Sequence, residues 1–460
     1  MHLHARLILL SLLFSIINLG AVGTNSSSLS PTKPAPADFQ DTLLHKQDKQ
    51  PVSLSGWFTI IWGDPHPDSD GEPLTLYMLT DDNGHTLQLS VDEELLQSQE
   101  GALALNGHRA QVTGMWIHEN IFETSSFEVD MDAMTESLEP LFGNVSGNQP
   151  YISILCKFAD NPDEPKPLAY FQEMYSSDYP RLDHYWRELS FGEINVSGSR
   201  AVGWYTLPHE QSYYVRDWDG DGDTEPNAGL LQEDCTGVAD PDVYFPDFVG
   251  VNLLFNDSIG VVGLGGRGRL DRDGVGKIYG ITWEPPYGFS HLSVMEHEMG
   301  HSFGLPHSSG DYGYVYDNVW DNMSDTLCEG NEDPQNGCLG HHTISYHKDK
   351  LGWIPESQKA VFLPATAQTV TLERLALPRT DNHKMVQIPI QGSDTHFYTV
   401  EVRETVGHDA ILPDSAVIIH EVDTTRREPA HVIDVDGDGD TSDEGAIWRV
   451  GETFYDEGNY

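Results

Sequence analysis

Three histidines and a glutamate stand at a spacing that can bind a metal ion and activate a water molecule. They lie in the run His297-Glu298-Met299-Gly300-His301-Ser302-Phe303-Gly304-Leu305-Pro306-His307, which fills every fixed position of H-E-x-x-H-x-x-G-x-x-H. On a helix His297 and His301 are one turn apart, so both imidazoles can reach one zinc ion. A turn at Gly304 then returns His307 as a third ligand. Because three protein ligands leave a fourth position for water, the pattern predicts a catalytic zinc site with Glu298 as the base.

A methionine follows the third histidine in the turn-like run Trp320-Asp321-Asn322-Met323-Ser324. A zinc site of this kind needs an apolar floor, and we predict that Met323 supplies it. Methionine is also a common filler of hydrophobic cores, which is the alternative interpretation. The position of Met323 shortly after His307 favours the floor.

The elements around these residues predict an α/β domain over residues 148–355. An apolar strand over Tyr151–Phe158 precedes a helical stretch, Tyr170–Leu189, and strand-like alternation over Glu193–Tyr205. The zinc-binding run itself is predicted to lie on a helix over His291–Phe303. Leu292, Met295, Met299 and Phe303 form its apolar face, so the two helical histidines point elsewhere, toward a cleft.

Two β domains are predicted on either side of the α/β domain. Residues 51–140 combine a strand, a hairpin with the turn Asp82-Asn83-Gly84, a short helix and a further strand, which predicts a small β-barrel of the oligonucleotide/oligosaccharide-binding type. Residues 356–460 contain strand candidates over Val370–Leu375, Met385–Ile390, Phe397–Arg403 and Ala416–Val422. They predict a β-sandwich, which we expect to be incomplete where the chain ends.

The first 50 residues are predicted to lie outside any folded domain. Residues 1–23 have a short basic start, an apolar stretch over 7–19 and the small residues Ala21-Val22-Gly23, which is typical of a secretory signal peptide. Residues 24–50 are rich in Ser, Pro, Thr and Lys and predict a disordered linker. No later segment is apolar enough to span a membrane. We therefore expect a soluble, secreted, extracellular protein.

Charge and cysteines fit that expectation. A formal net charge of -48 makes nucleic acid a poor partner, because phosphate binding needs clustered Lys and Arg. Four cysteines suit an oxidising compartment and allow three pairings. We prefer Cys328 with Cys338, which closes a short loop, and this leaves Cys156 with Cys235.

Two acidic loops of nearly identical sequence predict calcium sites. One is Asp217-Trp218-Asp219-Gly220-Asp221-Gly222-Asp223-Thr224, and the other is Asp434-Val435-Asp436-Gly437-Asp438-Gly439-Asp440-Thr441. Carboxylates at alternate positions with glycine at the sixth can wrap around Ca²⁺. The predicted calcium ligands are Asp217, Asp219, Asp221, Asp223, Asp434, Asp436, Asp438 and Asp440. The alternative is a pair of solvated acidic turns, because Ala228 and Gly445 stand where an EF-hand has its bidentate glutamate.

Several phrases of the sequence resemble one family of secreted metalloproteases. They are Tyr185-Trp186-Arg187-Glu188-Leu189-Ser190-Phe191-Gly192, Gly203-Trp204-Tyr205, the Gly-Leu-Pro before His307, Trp320-Asp321-Asn322-Met323-Ser324, and Lys350-Leu351-Gly352-Trp353. Over about residues 148 to 455 the chain resembles the immune inhibitor A family of the metzincin clan, and gametolysin-like proteases are a near second. The resemblance implies a metzincin-like catalytic domain, one catalytic zinc ion and extracellular endopeptidase activity, with Met323 as the Met-turn methionine.

Two departures from the metzincin pattern stand out. Ser324 and Asp325 follow Met323, so the tyrosine that some metzincins place two residues after the methionine as an extra ligand is absent. No cysteine precedes Cys156, which excludes a cysteine-switch propeptide and leaves open whether the N-terminal barrel is inhibitory.

A glycine-rich run offers a place for the substrate. Gly263-Leu264-Gly265-Gly266 resembles the edge strand that aligns peptide substrates by backbone pairing, although a plain Gly-rich turn is an equal alternative.

The predicted activity is hydrolysis of protein or peptide substrates. Glu298 would take a proton from the zinc-activated water and pass it to the leaving amine. Tyr312, Tyr314, Tyr316 or Tyr346 could donate a hydrogen bond to the oxyanion. The alternative is a catalytically silent secreted binding or adhesion protein that retains the fold, but such proteins usually lose the glutamate or a ligand.

Overall fold

The computed structural model describes residues 50–65, 73–98, 101–118, 121–129, 144–218, 222, 224–310, 312, 315–325, 328, 332–362 and 367–456. The predicted signal peptide and nearly all of the predicted linker lie outside these residues, as do Asp219, Asp221, Asp223 and Tyr314.

Strands of the described residues, in chain order, are β1 Val52–Asp64, β2 Leu74–Thr80, β3 Thr86–Ser90, β4 Arg109–Trp116, β5 Ile121–Val129, β6 Gly147–Asn148, β7 Tyr151–Lys157, β8 Ile194–Asn195, β9 Arg200–Thr206, β10 Val215–Arg216, β11 Glu225–Pro226, β12 Gly250–Phe255, β13 Gly263–Arg272, β14 Val275–Glu284, β15 Glu332–Asp333, β16 Gly337–Cys338, β17 Lys359–Val361, β18 Met385–Pro389, β19 His396–Arg403, β20 Ala416–Asp423 and β21 Ala430–Val432. The α-helices are α1 Glu93–Gln97, α2 Ala102–Leu105, α3 Leu168–Glu173, α4 Leu182–Leu189, α5 Gln211–Tyr214, α6 Ala228–Ala239, α7 Leu292–Phe303 and α8 Ser345–Lys350. Short 3-10 helices cover Asp240–Asp242, Phe245–Asp247, Gly288–Ser290, Glu356–Gln358, Ile390–Gly392 and Gly407–Ile411.

The first five strands close into a barrel. Their order is β2-β3-β5-β4-β1, and β1 also pairs with β2, which completes the ring. Leu54, Phe58, Leu79 and Phe122 are among the side chains that fill its core. The turn Asp82-Asn83-Gly84 joins β2 to β3 as predicted, with Gly84 at a positive φ of 86°. The two short helices α1 and α2 lie between β3 and β4.

The α/β domain is built on a mixed sheet with the order β13-β14-β12-β7-β9. Strands β14, β12, β7 and β9 are parallel to one another. Strand β13, at one end of the sheet of this domain, is antiparallel to β14. Helix α7 packs on this sheet. Its predicted apolar residues Leu292, Met295, Met299 and Phe303 all belong to one buried core, which also contains Met323.

Strand β1 joins the barrel to the α/β domain. Its first part pairs with β4, its middle part with β2, and its last four residues pair antiparallel with the start of β13. Burial follows this change of partners. Side chains alternate between buried and half-buried up to Trp57, and every residue from 58 to 64 is buried. A strand with covered faces on both sides is buried without alternation.

Helix Tyr170–Leu189, predicted as one element, is two helices in the structure. Helix α3 ends at Glu173 and α4 begins at Leu182, with Pro180 in the segment between them. Proline restricts the residue before it and cannot donate a helical hydrogen bond, so the helix is interrupted there. Apolar residues recur at helical spacing on both sides of Pro180, so the sequence pattern alone indicated one continuous helix.

The C-terminal region differs from the predicted β-sandwich. Within the described residues, strands β17 to β21 form one five-stranded sheet. The predicted strand Val370–Leu375 makes only isolated bridges, Leu372 with His383 and Arg374 with Val402. In place of a second sheet, the α/β domain covers the apolar side chains: Ile344 and Tyr346 pack with Phe397, and Trp320 packs with Ile418. The predicted second layer is thus replaced by the Met-turn and helix α8.

Both preferred disulfides are present. Cys156 is bonded to Cys235, which ties β7 to α6, and Cys328 is bonded to Cys338. The two bonds account for all four cysteines of the sequence.

Among the described residues, no helix combines the length and apolar character needed to cross a lipid bilayer.

Candidate metal centre

Helix α7 and the turn after it bring the three predicted histidines together. The helix ends at Gly304, which has a left-handed φ of 100°, and the amide of Leu305 donates to the carbonyl of Gly300. This C-terminal turn is the one that the glycine predicted. It reverses the chain so that His307 faces His297 and His301, and all three side chains are buried.

Distances between the ring nitrogens fit a zinc ion. Nε2 of His307 lies 3.2 Å from Nε2 of His297 and 3.1 Å from Nε2 of His301. Ligands at about 2.0 to 2.1 Å from a tetrahedral zinc ion are about 3.3 Å apart. The three imidazoles therefore need to move only slightly to bind one ion.

Hydrogen bonds set which nitrogen of two histidines faces the cluster. Nδ1 of His297 donates to the carbonyl of Asn322 at 2.6 Å, and Nδ1 of His301 donates to the carbonyl of Leu305 at 2.7 Å. A carbonyl can only accept, so Nδ1 of each ring carries a proton, and Nε2 presents its lone pair when the ring is neutral. Such partners orient metal-binding histidines.

Glu298 lies beside the cluster and is completely buried. Within the described part of the chain, neither of its carboxylate oxygens meets the geometric criteria for a hydrogen bond. Strand β13 makes room for this carboxylate with glycines. A Cβ at Gly265 would lie 2.7 Å from Oε2 of Glu298, and one at Gly263 would lie 2.8 Å from Cδ. A buried carboxylate without partners is unfavourable unless a water molecule or cation completes the site.

Met323 lies in the buried core beneath the histidine-bearing helix, a position that fits both the predicted floor and the alternative of core filler. It is buried, and its side chain lies against Gly300, the helical residue between His297 and His301. A Cβ at Gly300 would come within 3.1 Å of the methionine Cε and closer still to the sulfur. The same turn holds His297, because Asn322 is the residue whose carbonyl accepts from Nδ1.

A fourth group faces the histidines, and sequence reasoning missed it. Asp64 ends strand β1, with Oδ2 3.0 Å from Nε2 of His297 and Oδ1 3.1 Å from Nε2 of His307. The hydroxyl of Tyr316 donates to Oδ1. One ligand atom each of Asp64, His297, His301 and His307 lies within 4.8 Å of the others. A carboxylate thus lies within hydrogen-bond distance of two of the three histidines.

The electrostatics of the cluster suit a cation. Burial raises the pKa of Asp64, but His297 and His307 lower it, and the net pKa is well below the usual value. Burial and the neighbouring histidines hold the pKa of His301 well below its usual range. Burial, Asp64 and Glu284 raise the pKa of Glu298. His297 differs from His301: burial lowers its pKa, but Asp64 and the carbonyl of Asn322 raise it, and the net pKa lies above the usual value. Metal ligation requires an ionised carboxylate and neutral imidazoles, and a bound cation would displace the proton of His297.

The described tyrosines among the predicted oxyanion donors lie in different parts of the protein. Tyr316 reaches the cluster through Asp64, and its ring centroid lies 5.4 Å from that of His307. The hydroxyl of Tyr312 instead donates to Asp434, and Tyr346 packs in the core beneath the C-terminal sheet. Tyr316 is therefore the candidate oxyanion donor that the structure brings to the site.

The predicted calcium ligands are only partly brought together. In the second loop, one oxygen each of Asp434, Asp436 and Asp438 lies within 4.8 Å of the others. Asp440 instead accepts hydrogen bonds from the amide and hydroxyl of Ser442. Of the aspartates in the first loop, only Asp217 is described, and it accepts from the amide of Gly222 at 3.2 Å. Calcium binding stays a prediction for both loops.

Comparison with known proteins adds no assignment: no protein-family model matches the chain, and no curated sequence is significantly similar to it.

Proposed function

We propose that this protein is a secreted zinc-dependent endopeptidase of the metzincin type. The convergence of three buried histidine Nε2 atoms beside the unpartnered carboxylate of Glu298 carries this proposal. Two of the histidines are oriented by carbonyl groups, as catalytic zinc ligands are. The motif resemblance to the immune inhibitor A family points the same way.

Each residue of the site has a role in this proposal. His297, His301 and His307 hold the zinc ion, which acidifies water and polarises the peptide carbonyl when bound. Glu298 accepts the proton of the attacking water and delivers it to the departing amine. The hydroxyl of Tyr316, which donates to Asp64, would donate a hydrogen bond to the developing oxyanion once Asp64 has moved away.

The sheet supports a protein or peptide as the substrate. The start of β13 runs beside Glu298, and within the α/β domain it is the terminal strand. An extended peptide can add to such a strand by backbone hydrogen bonds, with its scissile bond carried toward the histidines. The Gly263–Gly266 run is thus a strand and not a turn. Two disulfide bonds support export, and the net charge of -48 opposes nucleic acid as a partner.

The test compares zinc-loaded wild type with Glu298→Gln on unfolded casein. Because Asp64 contacts the histidines, the pair is also compared in an Asp64→Ala background. We expect Glu298→Gln to keep its zinc, because the ligands are unchanged, and to lose nearly all peptidase activity. A general base is typically worth 10² to 10⁴-fold in rate.

Equal activity in the glutamine variant would reject Glu298 as the base. A protein that binds zinc but cleaves no peptide in any of the four forms would favour the alternative of a secreted binding protein. Zinc is measured by metal analysis in every sample, so loss of metal and loss of the base are separated.

A further inference from the structure

The barrel and the candidate zinc site meet through the last four residues of β1. These residues pair antiparallel with β13, from Ile61 opposite Gly266 to Asp64 opposite Gly263. Without the barrel, β13 would be the edge of the α/β sheet. In the proposed function this edge is where an extended substrate binds. Strand β1 therefore takes the backbone positions that a substrate would use.

The side chains of this short strand divide between two faces. Ile61 packs into the main core of the α/β domain. Trp62 points the other way and stacks on His301, with ring centroids 4.9 Å apart and an angle of 13° between the planes. Asp64, two residues further on, lies on the same face as Trp62. The strand thus directs one aromatic ring and one carboxylate at the histidines.

Close contact between the two strands depends on glycine. A Cβ at Gly63 would overlap the side chain of Leu264 and lie 3.3 Å from Cβ of Leu74. Across the strand pair, Gly265 stands opposite Trp62. Residues without side chains at these points let β1 approach β13 while Glu298 stays beside it.

The atoms around Asp64 indicate a cation between them. In their neutral forms His297 and His301 present lone pairs at Nε2, because their Nδ1 protons are donated to carbonyls. The ionised carboxylate oxygens of Asp64 only accept. A proton on Nε2 of His297 or of His307 could satisfy one contact to Asp64, whereas one divalent cation would satisfy all four residues.

We propose that Asp64 is a fourth protein ligand of the zinc ion and that Ile61–Asp64 lies in the substrate strand position, so that the full-length chain is latent. This inference rests on the proposed function. The carboxylate occupies the metal position needed by water, and the strand occupies the edge needed by the substrate. Loss of either block should give partial activity, and full activation requires both to leave together with the barrel.

A cavity beside Asp64 shows how much of the cleft remains open. It has a volume of about 280 Å³, and Asp64 and His297 lie in its wall together with Val262, Tyr287, Val294 and Tyr316. Space on one side of the metal position is therefore available to a small molecule. Access to the histidines along β13 is not, because β1 fills it.

The proposal that Asp64 is a zinc ligand is tested without relying on peptidase activity. Full-length Glu298→Gln protein, which cannot cleave itself, is compared with Asp64→Ala and Asp64→Asn made in the same background. Zinc transfer to a chelator and the visible spectrum after Co²⁺ substitution are measured. We expect zinc loss to be at least about 10-fold faster in both Asp64 variants, since even an outer partner of a metal ligand is worth 10 to 100-fold. We also expect a changed Co²⁺ spectrum.

Asp81→Ala is the matched control. Asp81 is also a buried aspartate of the barrel, and it accepts hydrogen bonds from the amides of Asn83 and His85 rather than facing the histidines. The Asp81→Ala substitution should perturb the barrel and leave zinc release and the Co²⁺ spectrum unchanged. Identical metal behaviour in wild type and both Asp64 variants would overturn the inference, whatever the peptidase assay shows.

The strand half is tested by peptidase activity of uncleaved protein with Glu298 intact. We expect Asp64→Ala and Gly63→Ala to cleave a short peptide at least about 10-fold faster than wild type, because each weakens one of the two blocks. Gly56→Ala is the control, since its Cβ would meet the backbone of Thr80 inside the barrel and not β13.

The outcomes separate this inference from the proposed function. Faster zinc release in the Asp64 variants with no peptidase activity in any form would retain Asp64 as a ligand and reject the enzyme. Activity in wild type equal to that of Asp64→Ala and Gly63→Ala would retain the enzyme and overturn latency.

Discussion

The histidine cluster and the second acidic loop are both predicted to bind cations, but the protein holds their side chains in different ways. The histidines are buried, and two are fixed by carbonyls of the surrounding core. Asp436 and Asp438 are exposed and accept hydrogen bonds mainly from the loop itself, such as that from the amide of Asp440 to Asp438. Core packing orders the first set, whereas an ion would have to order the second.

This difference predicts opposite responses to metal removal. A site built on a helix and a packed turn keeps its geometry when empty, because its ligands cannot move without disturbing the core. Neighbouring aspartates repel one another when no cation is present, so the loop should open. The predictions below test this contrast, beginning with the largest expected effect.

Removal of one zinc ligand should abolish tight binding. His297→Ala, His301→Ala and His307→Ala should each lower zinc affinity by more than about 100-fold, since outer-shell changes alone reach that value. Metal analysis after dialysis measures the loss. His341→Ala serves as the control, because His341 is equally buried but lies outside the cluster. Full zinc occupancy in His307→Ala would remove that residue from the ligand set.

Calcium removal should lower stability without displacing zinc. Binding at 100 times Kd contributes about 2.7 kcal/mol per site, which corresponds to a fall in Tm of roughly 5 to 10 °C in a domain of this size. A calcium-selective chelator and scanning calorimetry provide the measurement. Asp436→Asn should remove the share of the shift that comes from the second loop, and Asp414→Asn, which changes an exposed aspartate bonded to Arg449, should leave the shift unchanged. Equal Tm with and without calcium would identify the loops as plain acidic turns.

A side chain at Gly265 should disturb the zinc site through Glu298. Its Cβ would lie 2.7 Å from both Oε2 of Glu298 and Cβ of His301, and closer to the helix backbone. We expect Gly265→Ala to lower the free energy of unfolding by about 1 to 3 kcal/mol, as overpacking does, together with activity. Gly237→Ala in helix α6 meets nothing nearer than 3.8 Å and should leave urea unfolding unchanged or shifted toward stability. Similar behaviour of the two variants would contradict the packing argument.

The smallest effect is expected from Met323→Leu. An apolar floor needs volume more than sulfur, and such a swap usually costs less than about 1.5 kcal/mol. Zinc content and most peptidase activity should remain. An inactive variant with intact fold and zinc would show that the sulfur has a role beyond filling space.

Local sequence was sufficient for the grouping of the three histidines, for the helix and for the left-handed turn at Gly304. All of these lie within one short stretch, where spacing on a helix determines geometry. Asp64 could not be found in this way, because 243 residues separate it from His307 and no motif links them. The available signal was the run Phe58-Thr59-Ile60-Ile61-Trp62, which is apolar except for Thr59 and is rich in β-branched and aromatic residues, as is typical of a strand covered on both faces.

The C-terminal region shows a different limit of sequence analysis. Alternation along β19 predicts that Val400 and Val402 lie on the buried face and Thr399, Glu401 and Arg403 on the solvent face. The structure shows the reverse: the three polar side chains are completely buried, whereas the two valines are half-buried. Alternation also cannot say which partner covers a face, and we predicted a second sheet where the Met-turn and α8 lie. Long-range partners are fixed by the whole fold and not by the period of one strand.

The disulfide between Cys156 and Cys235 has a consequence for degradation. It closes a ring with a sequence separation of 79, and the first acidic loop lies inside that ring. A single backbone cut in the loop would therefore release no fragment, because the two pieces stay covalently joined. Nicked and intact molecules would migrate together on a non-reducing gel and separate only after reduction. Damage at the most acidic turn of the α/β domain would thus leave a molecule that still carries both halves of its sheet.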